Sequence, residues 1–102
     1  MTTDPLIGKY VIVRCHDAGV HAGVLAAFDG RACDLIDSRR LWYWKALKGY
    51  KFLSGVAISG LDNSSKIGET LPFLRLTENC EIILCSPEAE KSIREIKPDR
   101  IA

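Results

Sequence analysis

His21-Ala-Gly-Val-Leu-Ala-Ala-Phe-Asp-Gly-Arg-Ala-Cys-Asp-Leu-Ile-Asp37 is the stretch whose reading decides the fold. At its centre Asp29-Gly30 is a strong two-residue hairpin signal, because glycine accepts the positive φ that primed turns require. The flanks are therefore expected to be antiparallel strands, one over His21 to Phe28 and one over Arg31 to Asp37. In the second, Cys33 and Leu35 lie on one face, and Ala32, Asp34 and Ile36 on the other. Gly23 inside the first suggests a bulge or a tight bend.

Working outward, Lys9-Tyr-Val-Ile-Val-Arg-Cys15 is rich in β-branched residues and forms a preceding strand. Val11, Val13 and Cys15 share one of its faces, with Tyr10, Ile12 and Arg14 on the other. A fourth strand is expected from Arg40 to Trp44, with Arg40, Trp42 and Trp44 on a common face. Phe52 to Ser59 suggests a short helical turn, and Asp62-Asn63-Ser64-Ser65 a loop. Lys66 to Leu71 and Phe73 to Thr77 form a strand pair or one strand broken at Pro72, which cannot donate to a ladder. Cys80 to Cys85 is the last strand. Ser86-Pro87-Glu88 then starts a helix, with a capping hydroxyl, a proline at the first helical position and an acid in the first turn. Ala89, Ile93 and Ile96 give that helix one apolar stripe, and Pro98 ends it.

These elements predict a mainly β protein: a small SH3-like or Sm-like barrel or a strongly bent antiparallel sheet, closed by a C-terminal α-helix. An α+β sheet with one packed helix is the alternative. The 102 residues, 47% hydrophobic and 26% charged, suit one globular domain over 1–102. No segment approaches the ~20 apolar residues of a membrane span, and no signal peptide opens the chain, so a cytoplasmic protein is expected. Cys15, Cys33, Cys80 and Cys85 are expected to be reduced core thiols, since their spacing fits no metal template well. No metal and no cofactor is therefore expected.

The net charge of +1 conceals an asymmetry. Between Ser38 and Leu61 stand Arg39, Arg40, Lys45, Lys48 and Lys51, and no acid. The same segment holds Trp42, Tyr43, Trp44, Tyr50 and Phe52, five of the eight aromatic residues. Cations hold phosphates and flat rings stack on bases, so this composition suits a nucleotide-type ligand. The candidate ligand-binding residues are Arg39, Arg40, Trp42, Trp44 and Lys45, with His21 and Arg14 from the earlier strands. Arg39 and Arg40 would neutralise phosphate, Trp42 and Trp44 would stack on a base, and His21 would donate a hydrogen bond. The turn Gly19-Val20-His21-Ala22-Gly23 is a further candidate for aiming backbone N–H groups at an anion. Catalysis finds little support: no Ser or Cys has an evident base and orienting acid beside it, and no phosphate-binding loop or dinucleotide fingerprint occurs.

Ala18-Gly19-Val20-His21-Ala22-Gly23 and Ser38-Arg39-Arg40-Leu41-Trp42-Tyr43-Trp44, joined by Asp29-Gly30, resemble a family of small bacteriophage and prophage proteins that carry a domain of unknown function. Its members show a comparable glycine-valine-histidine turn and an Arg-Arg-aliphatic-Trp-Tyr-Trp run. They end in a strand and a short acidic helix, and the resemblance covers most of the chain. It implies a phage or prophage product acting in a bacterial cytoplasm. Small phage proteins of this kind include nucleotide sponges that sequester the signalling molecules of antiviral defence. The leading expectation is thus a non-enzymatic binding protein, a homo-oligomer that captures a nucleotide-derived, phosphate-bearing small molecule. The alternatives are a nucleic-acid-binding Sm-like or SH3-like module and a protein-interaction module that inhibits a host protein.

Overall fold

The computed structural model of the protein describes residues 4–99. Six strands and two helices follow one another as β1 (Tyr10–Cys15), β2 (Val20–Asp29), β3 (Ala32–Tyr43), α1 (Leu53–Ser59), β4 (Lys66–Ile67), β5 (Leu71–Leu76), β6 (Asn79–Leu84) and α2 (Pro87–Glu95). A 3₁₀ turn, Leu47–Gly49, precedes α1. Every ladder is antiparallel. The sheet runs β4-β3-β2-β1-β6, and β5 shares with β4 the outer edge of β3. The fold is mainly β with a C-terminal helix, as the sequence predicts.

The sheet curls because the chain crosses from one edge to the other in a very short step. β5 lies on the outer side of β3 and β6 on the outer side of β1. In a flat sheet the four intervening spacings would separate them by about 19 Å. Leu76 and Asn79 are joined by only three peptide units, which reach at most about 11 Å. The sheet must therefore bend strongly. It is not closed, however: no ladder joins β5 to β6 among the described residues, so the barrel alternative gives way to the bent open sheet.

Two bulges shape the bend. Between the pairs Ala22↔Arg39 and Val24↔Ile36, β3 carries one extra residue. Asp37 takes up the distortion there, with φ at 52°. Gly23 faces this bulge so closely that a Cβ would lie 3.1 Å from both the Ile36 carbonyl oxygen and the Ser38 Cα. Pro72 lies opposite the same interruption, between the pairs Ser38↔Leu71 and Ile36↔Phe73, where a missing donor costs least. The bulge also corrects two expectations. Residues Arg31 to Trp44 do not make two strands; one bent strand, β3, runs through the irregularity. The hairpin loop is Gly30-Arg31, since Asp29 still pairs with Ala32.

Alternation sends the two faces of β1 into two cores. Val11, Val13 and Cys15 join Leu25, Cys33, Leu35 and Leu76 inside the curl. Tyr10 and Ile12 join Val20, Ala22, Leu41 and Ile67 beneath the helices. There α2 seats Ala89, Ile93 and Ile96, the stripe read from the sequence. Its N-cap is Ser86, whose Oγ accepts from the Ala89 N–H at 3.0 Å and donates to the Ile58 carbonyl at 2.7 Å. One hydroxyl thus starts α2 and ties it to α1. Cys15, Cys33 and Cys85 are buried as expected, but Cys80 is exposed. It stands on edge strand β6, where nothing among the described residues covers it. No helix among the described residues is long and apolar enough to cross a membrane.

Candidate binding surface

Arg39 and Arg40 are neighbours on a strand, so alternation drives them to opposite faces. Arg39 goes beneath α2. Its Nε donates to the Gly68 carbonyl at 2.8 Å and its Nη1 to the Ile93 carbonyl at 2.7 Å, and the residue is 3% exposed. The first of the two predicted phosphate ligands is therefore covered and bound to backbone. Its place is structural.

Arg40 faces the concave side. It is opposite His21, which in turn is opposite Val13. Its guanidinium lies against the turn before β2, where a Cβ on Gly19 would stand 3.2 Å from Nη2. Among the described residues the Arg40 side chain has no hydrogen bond and no ion pair. His21 is 7% exposed, with Nε2 at 2.9 Å from the Ala18 carbonyl. A carbonyl only accepts, so Nε2 carries the hydrogen. Burial lowers the His21 pKa, the Ala18 hydrogen bond offsets part of that, and the Arg40 charge lowers it further. The imidazole is a neutral prop for the turn, with its Nε2–H engaged by backbone.

Trp42 and Trp44 do not share a face. The ladder to β4 slips between Leu41 and Tyr43, and the strand stops at Tyr43. Trp42 is left 61% exposed and Tyr43 47%. Trp44 turns in against the core under the helices. There it lines, with Arg14, Phe52, Leu53, Glu81 and Ile83, a cleft of about 510 Å³. Arg14 is answered by Glu81, Nε to Oε1 at 3.1 Å. Lys45 has an exposed side chain on a pinned backbone, its N–H donating to Ser65 Oγ at 2.9 Å.

The seven predicted residues thus divide four ways. Arg40 and His21 meet on the concave side, Arg14 and Trp44 meet in the helix-side cleft, and Arg39 is interior. Trp42 and Lys45 lie on the exposed rim beyond Leu41. Phe52, 76% exposed, belongs with the cleft and was recognisable only as one ring of the aromatic segment. Glu81 was not recognisable at all, since its pairing with Arg14 depends on the β1–β6 register. Arg40, Lys45, Lys48 and Lys51 form no ion pair among the described residues, so this rim carries unbalanced positive charge. Among the described residues, no three His, Cys, Asp or Glu side chains gather as a metal site would require.

The chain belongs to the family described as a domain of unknown function, DUF6948, whose profile matches residues 8–93. No curated protein and no solved structure matches it.

Proposed function

We propose that this member of the family is a non-enzymatic binding protein that takes a nucleotide-derived, phosphate-bearing ligand on the rim from Arg40 to Phe52. The observation that carries the proposal is Arg40, a guanidinium with no partner among the described residues, two residues from the exposed Trp42. A guanidinium fork matches phosphate geometry, and an open indole offers a face to any base. Lys45, Lys48 and Lys51 supply further charge without competing acids in the same segment. Arg39 takes no part, and Arg14, already held by Glu81, is a secondary contact at most. The resemblance given from the sequence supports extending this reading to a phage or prophage setting, in which the protein would act as a cytoplasmic sponge that blunts host defence. Exposed rings such as Phe52 suit a second copy of the chain completing the seat.

The test is native mass spectrometry of gently purified protein, alongside thermal melts with linear and cyclic nucleotides. A co-purifying nucleotide, or several degrees of stabilisation by one compound, supports the reading. Silence across the panel turns it toward a protein partner.

One observation favours a second reading, single-stranded nucleic acid. The exposed rings Trp42, Tyr43 and Tyr50 are spread along a rim rather than enclosed around a cavity. An extended strand could follow such a rim, with binding graded by oligonucleotide length and falling steeply with salt.

A further inference from the structure

The irregular step in the β1–β6 ladder brings two cysteines together. Arg14 pairs with Glu81, but the next pair is Cys15 with Asn79, leaving Cys80 as the extra residue of the bulge. Arg14 and Glu81 point to the helix side, where they form their ion pair. Cys15 lies one step on, with Val11 and Val13 on the other face, and the bulge residue Cys80 immediately precedes Glu81 on β6. Burial raises the Cys15 pKa, and the charge of a Cys80 thiolate nearby raises it further. Cys80 stands between Asn79, the ladder partner of Cys15, and Glu81, the partner of Arg14, so the bulge sets it diagonally across from Cys15 on the neighbouring strand.

Access is unequal. Cys80 is exposed and lines an open cleft of about 510 Å³ with His16, Arg31, Glu78 and Asn79. Cys15 is 8% exposed and lies behind it. The other two thiols are withdrawn from chemistry: burial pushes Cys33 up to about 11 and Cys85 up to about 12.

We propose that Cys80 and Cys15 are a reactive and resolving pair, a modification site that takes low-molecular-weight disulfides. The Cys80 thiolate attacks one sulfur of the disulfide, a mixed disulfide forms, and one small thiol leaves as its thiolate. The Cys15 thiolate then attacks the Cys80 sulfur, expels the second small thiol and closes an intramolecular disulfide. The two protein thiol protons end on the two released thiols, so one external disulfide is reduced as one internal disulfide forms. Arg31 and His16, which line the cleft, are placed to receive the charge of the leaving thiolate. The product staples edge strand β6 to β1.

The test uses the full chain in its reduced form with glutathione disulfide at mildly alkaline pH, followed by intact mass and peptide mapping. The expected product has lost two hydrogens and links the Cys15 peptide to the Cys80 peptide. Cys15→Ser and Cys15→Ala should each stop at a single glutathione adduct on Cys80. Cys80→Ser, at an exposed position, should remain reduced, and Cys33→Ser should behave as the parent. A stable adduct on Cys80 in the parent chain, a bond between Cys80 and Cys33, or no reaction within hours overturns the proposal.

Discussion

Arg39 of β3 donates from Nη1 to the Ile93 carbonyl of α2 at 2.7 Å, across 54 positions of sequence. With the bond from Nε to the Gly68 carbonyl, it fastens the last turn of α2 and the chain after β4 to the middle of the sheet. The charge is met by carbonyl oxygens, since no carboxylate among the described residues pairs with it.

Removing that guanidinium strands two carbonyls in the interior and leaves a cavity beneath α2. Arg39→Ala is expected to cost about 3 kcal/mol or more, and Arg39→Lys to recover little, because an ammonium cannot reproduce the fork. In a chain of this size the melting temperature should fall by more than about 10 °C. Thermal melts followed by circular dichroism check this, and a fall of only a degree or two would deny Arg39 its structural part.

Arg40→Ala should do the opposite. Its side chain supports no partner among the described residues, so stability should change by less than about 0.5 kcal/mol. Affinity for the proposed nucleotide ligand should weaken more than tenfold, and Trp42→Ala should weaken it by a similar order through lost stacking. Titration calorimetry on both variants tests this. A collapsed fold in Arg40→Ala would make the residue structural and the site misplaced.

His21 makes stability depend on pH with a defined sign. Its pKa is lowered in the folded state, chiefly by burial. Stability from keeping the ring neutral is therefore fully present above the ordinary imidazole value of about 6.5. It is lost as the pH falls from there toward the lower folded-state value. Melting temperatures measured from pH 7.5 down to 5 should decline, and His21→Gln should flatten that slope whatever its absolute stability. An equal slope in the variant would assign the decline to other groups.

Gly60, the C-cap of α1, has φ at 94° and lies under α2, where an added Cβ would stand 2.5 Å from the Ser92 Cβ. Ser92 cannot simply retreat, because its Oγ accepts from the Leu61 N–H and donates to the Leu61 carbonyl, both at 2.9 Å. Gly60→Ala combines a left-handed φ with a steric conflict, and should cost about 2–4 kcal/mol. Urea denaturation should show a lower midpoint with an unchanged slope. A midpoint within error of the parent would mean that α1 and α2 separate at no cost.

What the sequence by itself determined is what neighbouring residues decide. The alternation of Tyr10 to Cys15 specified a strand and both its faces, and each face did enter a core. Ser86, Pro87 and the Ala89, Ile93, Ile96 stripe specified where α2 begins and which side it buries. These signals act over a few positions, where backbone geometry and period suffice. The basic, aromatic composition of the 38–61 segment was equally plain.

The partition of that segment was decided only by tertiary structure. Whether Arg39 or Arg40 is covered depends on where α2 lands, and α2 is far away in sequence. The separation of Trp42 from Trp44 depends on a slip against β4, a strand of two residues with almost no signal of its own. One residue of register exchanges every side chain between faces, so a bulge such as that at Asp37 reassigns faces that simple alternation would fix. The juxtaposition of Cys15 with Cys80 and the pairing of Arg14 with Glu81 follow from the same cause. They are set by ladders between strands more than sixty positions apart, which form only when the sheet curls around its core.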